Sequence, residues 1–290
     1  MRKSTIALIG VILLPLSACT QTHHPTPTPS SGPKDIVPAY VAVINQGNAA
    51  LTKALNACQS ENYYNCDPSV VSPLQKASQK YLDGLSGVQI PKNFQQYDKD
   101  MRTTLGALLM ASDLYNKAHQ TNSTSSGLNE ETNSALTNEQ YAEAVKLLNK
   151  SISELPADST PEFQQPDTTQ NKVLYITASQ KDDQTLSAQA FTTQNACFAD
   201  SFASGCISAN AQLQVLAQQF QDDLTKLEVP KSYASQDSRI REGAAKINAA
   251  MFLAARSSNE KNLLGSKEAD KSVRDALVLE KAALTTLNHA

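Results

Sequence analysis

A chain of 290 residues with 25 basic and 28 acidic side chains carries a net charge near −3, and 40% of it is hydrophobic. That length suffices for one large core or two modest ones. The mild acidity, without a Lys/Arg cluster, argues against a nucleic-acid-binding face and against electrostatic attachment to anionic lipid. Ten glycines, no tryptophan and few β-branched alternations give the composition of an all-α protein. Five cysteines, an odd count, leave one over once pairs are drawn.

At the N-terminus Arg2 and Lys3 precede the apolar run from Ile6 to Leu14. This is the charged region and hydrophobic segment of a secretory signal, too short to span a bilayer as a mature helix. Leu16-Ser17-Ala18-Cys19 follows. Residues 1–19 resemble a bacterial lipoprotein precursor, with Leu16 to Cys19 as the lipobox. The resemblance implies a signal peptide over 1–18, cleavage before Cys19, and a diacylglycerol on the Cys19 sulfur. It places the chain in the cell envelope, anchored to the membrane through Cys19 on its extracytoplasmic face. Thr20, where an aspartate would retain such a protein, favours the outer membrane in a cell that has one. The alternative is an ordinary cleaved signal with Cys19 as a stray residue. Two or three acyl chains anchor stably, at about 0.8 kcal/mol per buried methylene.

Residues 19–35 alternate threonine and proline and read as an extended, semi-stiff tether. Beyond it the sequence repeats. Asn56-Ala57-Cys58 recurs as Asn195-Ala196-Cys197, and Val88-Gln89-Ile90-Pro91-Lys92 as Leu227-Glu228-Val229-Pro230-Lys231, both 139 residues on. The stripe Leu74, Ala77, Tyr81, Leu85, Val88 matches Leu213, Leu216, Phe220, Leu224, Leu227 at helical spacing. A second stripe, Met101, Leu105, Leu108, Ser112, Tyr115, matches Ile240, Ala244, Ile247, Met251, Ala254.

Four helices per copy are predicted, near 38–59, 69–87, 92–119 and 136–155, then 169–199, 208–226, 231–257 and 267–288. Pro91 and Pro230 break the chain between the second and third of each set. Polar loops are predicted at 120–134 and 258–266, with the last helices related by 132 residues. Short connections imply antiparallel neighbours, hence two tandem up-down four-helix bundles from an internal duplication. Repeat 1 spans 36–155, a Pro-rich linker 156–168, and repeat 2 spans 169–290. The copies pack either as two domains, the favoured arrangement, or as one array.

Cys58 pairs with Cys66 and Cys197 with Cys206 in this reading, each a disulfide between the first two helices of its copy. Closing loops of this size stabilises by roughly 2–3 kcal/mol in the chain-entropy model, and export supplies the oxidising conditions. Cross-copy pairing, such as Cys58 with Cys197, and a four-thiolate metal site are the alternatives; the spacing does not suit a zinc knuckle. The loops carry Tyr63, Tyr64, Phe198 and Phe202, which form either a contact patch or a cap over the core.

Catalytic parts are scarce. His23, His24, His119 and His289 are the only histidines, and no phosphate loop or His-Glu-x-x-His run occurs. The neighbours Asp182 and Asp183, like Asp222 and Asp223 or Glu130 and Glu131, point about 100° apart on a helix and read as solvated faces. Asp98 with Arg102, repeated as Asp237 with Arg241, reads as exposed i, i+4 ion pairs. Neither catalytic residues nor a cofactor or metal is assigned. The expected function is a non-enzymatic binding or scaffolding module of the envelope with an envelope protein as partner. A carrier or sensor with a pocket inside a bundle, bordered by Gln212, Gln214, Gln218, Gln219 and Gln221, is the alternative, as is a hydrolase whose site no linear motif reveals.

Overall fold

The computed structural model describes residues 35–60, 63–64, 68–121, 130–153, 155–156 and 167–288. The lipobox, Cys19 and most of the tether lie outside them. Eight α-helices account for almost all of the described chain: α1 (Val37–Cys58), α2 (Pro68–Ser86), α3 (Gln95–Thr121), α4 (Glu130–Ser153), α5 (Thr169–Cys197), α6 (Ser204–Leu224), α7 (Ala234–Glu260) and α8 (Leu263–Leu287). Two short strands, β1 (Gln59–Ser60) and β2 (Tyr63–Tyr64), pair antiparallel after α1, with Gln59 opposite Tyr64. No described helix is long and apolar enough to cross a membrane.

Local chemistry starts and stops these helices. The Asp35 carboxylate accepts from Val37 N–H at 3.1 Å at the head of α1, and the Thr168 hydroxyl caps α5 by accepting from Asn171 N–H at 3.1 Å. After Pro91 and Pro230 the chain makes 3-10 turns, Lys92–Phe94 and Lys231–Tyr233, that lead into α3 and α7. Two predicted loops prove shorter. α4 begins at Glu130, inside the expected 120–134 loop. The expected 258–266 loop reduces to Lys261 and Asn262. Ser257 and Ser258 are helical, their hydroxyls donating to the carbonyls of Leu253 and Ala254 one turn back. Lys261 then takes a left-handed conformation (φ 53°) and Asn262 caps α8 by accepting from Gly265 N–H.

Residues 33–290 form one compact unit. α3 and α7 are its central helices. α3 packs against α2, α4 and α7, and α7 against α6, α8 and α3, while α5 also meets α8. Most of α7 is buried, and its alanines at 244, 245, 249, 250 and 254 let three neighbours approach closely. Both predicted stripes face one continuous core, with Leu74, Tyr81, Leu85, Met101 and Leu105 beside Leu213, Phe220, Leu224, Ile240 and Ile247.

The Asp–Arg pairs overturn the expectation of exposed ion pairs. Asp98 and Arg102 are 0% and 1% exposed, Asp237 and Arg241 2% and 4%. Arg102 Nε donates to Asp98 at 2.7 Å and Arg241 Nε to Asp237 at 2.8 Å. Each aspartate accepts a second bond from a tyrosine of its copy's first helix, Tyr40 at 3.0 Å and Tyr175 at 2.9 Å. Each guanidinium also donates to a carbonyl near the end of its copy's second helix, Leu85 at 3.4 Å and Leu224 at 2.7 Å. Tyr40 stacks edge-on against Phe94, and Tyr175 tilts against Tyr233, with Phe94 and Tyr233 related by the 139-residue offset. Burial and then the Asp98 charge push the Tyr40 hydroxyl well above its usual range, so it stays a donor. Burial alone would lower the Arg102 pKa; the Asp98 charge, its hydrogen bond to Arg102 and the Tyr40 hydroxyl together more than offset this and raise it.

These networks also join the copies. Arg102 donates to the Ser238 hydroxyl at 2.9 Å, and Ser238 to Ser86 Oγ at 3.1 Å. Gln221 Nε2 donates to Thr103 at 3.1 Å while its carbonyl accepts from Asn248. Lys99 bridges to Asp222 at 2.7 Å and Lys92 to Glu228 at 2.5 Å. Removing one member of a buried pair strands the other's charge and costs about 3–5 kcal/mol, whereas replacing both by apolar groups costs far less. Arg102→Met is therefore expected to destabilise by about 3–5 kcal/mol in urea unfolding. The double variant Asp98→Leu/Arg102→Met is expected to recover much of that loss.

Candidate functional site

At the disulfide end of copy two the four helices splay around an open cavity of about 330 Å³. Its inner wall is apolar: Ala190 of α5, Leu213 of α6, Met251 and Ala254 of α7, Ala269 and Val273 of α8. Its mouth is formed by Gln194, Phe198 and Ser201 on one side and by Lys267, Asp270 and Arg274 on the other. Arg274 is ion-paired with Asp270 one turn away. Thr193 is committed to the Ala209 carbonyl at 3.1 Å, which ties α5 to α6 beside the cavity. Cys197 and Cys206 are disulfide-bonded with their Cα atoms 4.6 Å apart, as the sequence reading expects. The bond holds the 198–203 loop at the mouth.

The aromatic residues of these loops divide. Phe198 is 91% exposed and covers none of the core, contrary to a capping role, while Phe202 is half-buried. Tyr63 and Tyr64 form β2, but their side chains, like the Cys58–Cys66 pairing, lie outside the described residues. The glutamine stripe divides. Gln214, Gln218 and Gln219 border a shallow outer groove with Val215 and Phe252, and Gln221 is buried in the joint between copies.

A second site was not visible in sequence. Glu280 of α8 is 0% exposed, and its side chain lies against the backbone of α7 at Gly243, where a Cβ would come within 2.3 Å of Glu280 Cγ. Only glycine leaves room there. Across the bundle the Glu280 carboxyl faces Asp183 of α5, which is half-buried rather than on a solvated face. Among the described residues neither Glu280 oxygen nor Asp183 Oδ1 has any other hydrogen-bond partner. Two carboxylates cannot bond to each other; a proton held on Glu280 makes it the donor and Asp183 the acceptor. Burial and then the Asp183 charge raise the Glu280 pKa well above the usual carboxylate range. Asp183 is raised by its own burial, an effect opposed by the Glu280 bond. The readable signal was an acid in the apolar stripe Val273, Leu277, Glu280, Leu284, Leu287.

Copy one solves the same depth of the bundle with neutral groups. Tyr81 donates to Asn48 Oδ1 at 2.9 Å, Asn48 Nδ2 donates to Tyr97 at 3.0 Å, and the two hydroxyls are 3.1 Å apart. The acid pair is thus peculiar to copy two. Among the described residues no group of three or more His, Cys, Asp or Glu side chains is placed to hold a metal ion.

The chain matches no family model, no curated protein and no solved structure.

The acid pair makes stability depend on pH. In the unfolded chain a glutamate loses its proton near pH 4.3, whereas folded Glu280 holds it to higher pH. Between those two values the unfolded state has released a proton that the folded state keeps, so stability falls as pH rises and is level on either side. Each unit of difference costs about 1.4 kcal/mol. Glu280→Gln is expected to match the parent near pH 4 and to exceed it at pH 7, as read from urea midpoints at the two pH values.

Proposed function

We propose that this protein is a lipid-anchored, extracytoplasmic binding module of the cell envelope. Its recognition site is the cavity at the disulfide end of copy two. The observation that carries this reading is the cavity itself: an apolar wall drawn from four helices, open to solvent, its mouth loop held by a disulfide. Pockets of about 300 Å³ and larger, apolar with a few polar groups, are the usual form of small-ligand sites, and bundles build them between facing helices. Exposed Phe198 at the rim extends the apolar surface and suits contact with a protein partner as well.

The reading takes Cys19 as the acylated terminus and residues 19–35 as a tether holding the domain off the membrane. It takes the helical part as two tandem up-down four-helix bundles, duplicated and fused along α3 and α7. The recurrence of the same tyrosine, aspartate and arginine in both copies supports the duplication. A hydrolase would find its best acid–base couple in Asp183 and Glu280. Glu280 is fully enclosed, which denies it a substrate.

Fractionation tests the anchor, and turnover tests the absence of catalysis. The full chain is expected to sediment with membranes and Cys19→Ser to move to the soluble fraction with its helical circular dichroism unchanged. Hydrolysis of ester, glycosidic or peptide substrates that Glu280→Gln abolishes would overturn the non-enzymatic reading.

A further inference from the structure

We infer that the cavity at the disulfide end of copy two takes a small amphiphile with an aliphatic body and a single anionic head. The inference rests on the binding role proposed above and adds the class of ligand. The inner wall, from Leu213 to Val273, is mainly apolar, with Thr193, Asn210 and Ser266 as its polar groups, so it rewards an aliphatic group that leaves water. The mouth decides the head group. Of its three charged side chains, Asp270 and Arg274 neutralise one another in an ion pair. Among the described residues Lys267 has no ion-pair or hydrogen-bond partner, and it is exposed at the edge of the cavity, on the same helix as the apolar Ala269 and Val273. One cation without a partner among the described residues therefore stands over a mainly apolar hole in a chain whose net charge is −3. A ligand that enters tail first brings its head to the level of Lys267, and Gln194 across the mouth offers amide donors. A carboxylate satisfies both groups. An alcohol leaves the ammonium without a counter-charge, and an ammonium head is repelled.

The chain in neutral phosphatidylcholine nanodiscs, titrated calorimetrically with octanoate, octanol and octylammonium against empty nanodiscs, tests this. Octanoate is expected to bind about fivefold more tightly than octanol, the upper range for an exposed ion pair, and octylammonium most weakly. Lys267→Glu is expected to reverse the order of octanoate and octylammonium. Ser201→Trp, which fills the mouth from the loop and leaves the helices intact, is expected to abolish binding of all three. Circular dichroism confirms that both variants fold. Equal affinity for octanoate and octanol, or an order that Lys267→Glu leaves unchanged, overturns the anionic head group while leaving the cavity as a binding site. Failure of all three to bind, or binding that Ser201→Trp does not diminish, overturns the cavity as the recognition site and the ligand class with it.

Discussion

Two aspartate–arginine pairs have been taken out of water, and the rest of the molecule is arranged to make that tolerable. Desolvating four charges is costly unless each is paired and its remaining hydrogen-bonding capacity is filled. The chain fills it from every direction: a tyrosine from the first helix of each copy, a backbone carbonyl from the second, and, for Arg102, a serine of the other copy. The geometry fixes where α1, α2 and α3 meet, and again where α5, α6 and α7 meet. Because Arg102 reaches Ser238, it also fixes α3 against α7. Hydrophobic burial supplies most of the stabilisation, but it is tolerant of register. The charge network is not, and it sets how the helices align.

This arrangement leaves the two ends of copy two different. Arg241 lies near the start of α7, close to the joint, whereas Met251 and Ala254 line the cavity near its end. Thirteen residues of helix separate Arg241 from Ala254, about 20 Å. The joint end is locked by ionic and polar bonds across the copies. The far end is held by a disulfide and by Thr193 and Gln189 bonds to α6, and it opens into a cavity. Between them sits the Glu280–Asp183 pair, a costly element that copy one replaces with Asn48, Tyr81 and Tyr97. The acid pair and the described cavity thus lie in the same half of the helical chain.

Much of the helical architecture was legible because proline breaks and apolar stripes are local signals. Pro91 and Pro230 marked helix boundaries, and Leu74 to Leu85 and Leu213 to Leu224 marked buried faces. The burial of Asp98 and Arg102 was not legible, since an i, i+4 pair has the same sequence pattern on a surface as in a core. The tyrosines that complete the network were hidden by a shift of register. Tyr40, Leu51 and Leu55 correspond in depth to Tyr175, Leu186 and Ala190, an offset of 135, although the neighbouring cysteines match at 139. Four residues is close to one helical turn, so α5 carries one turn more at its cysteine end. Asp183 was read with its neighbour Asp182, and its true partner is 97 positions on in another helix. The cavity depends on four helix ends coming together, which no local pattern encodes.

The central claim is that buried charge joins two repeats into a single folding unit. Urea unfolding of the chain labelled with fluorotyrosine tests it most directly, because Tyr97 and Tyr141 report on copy one while Tyr175 and Tyr233 report on copy two. A single transition with one midpoint for all four resonances is predicted. Separate midpoints for the two copies would contradict it.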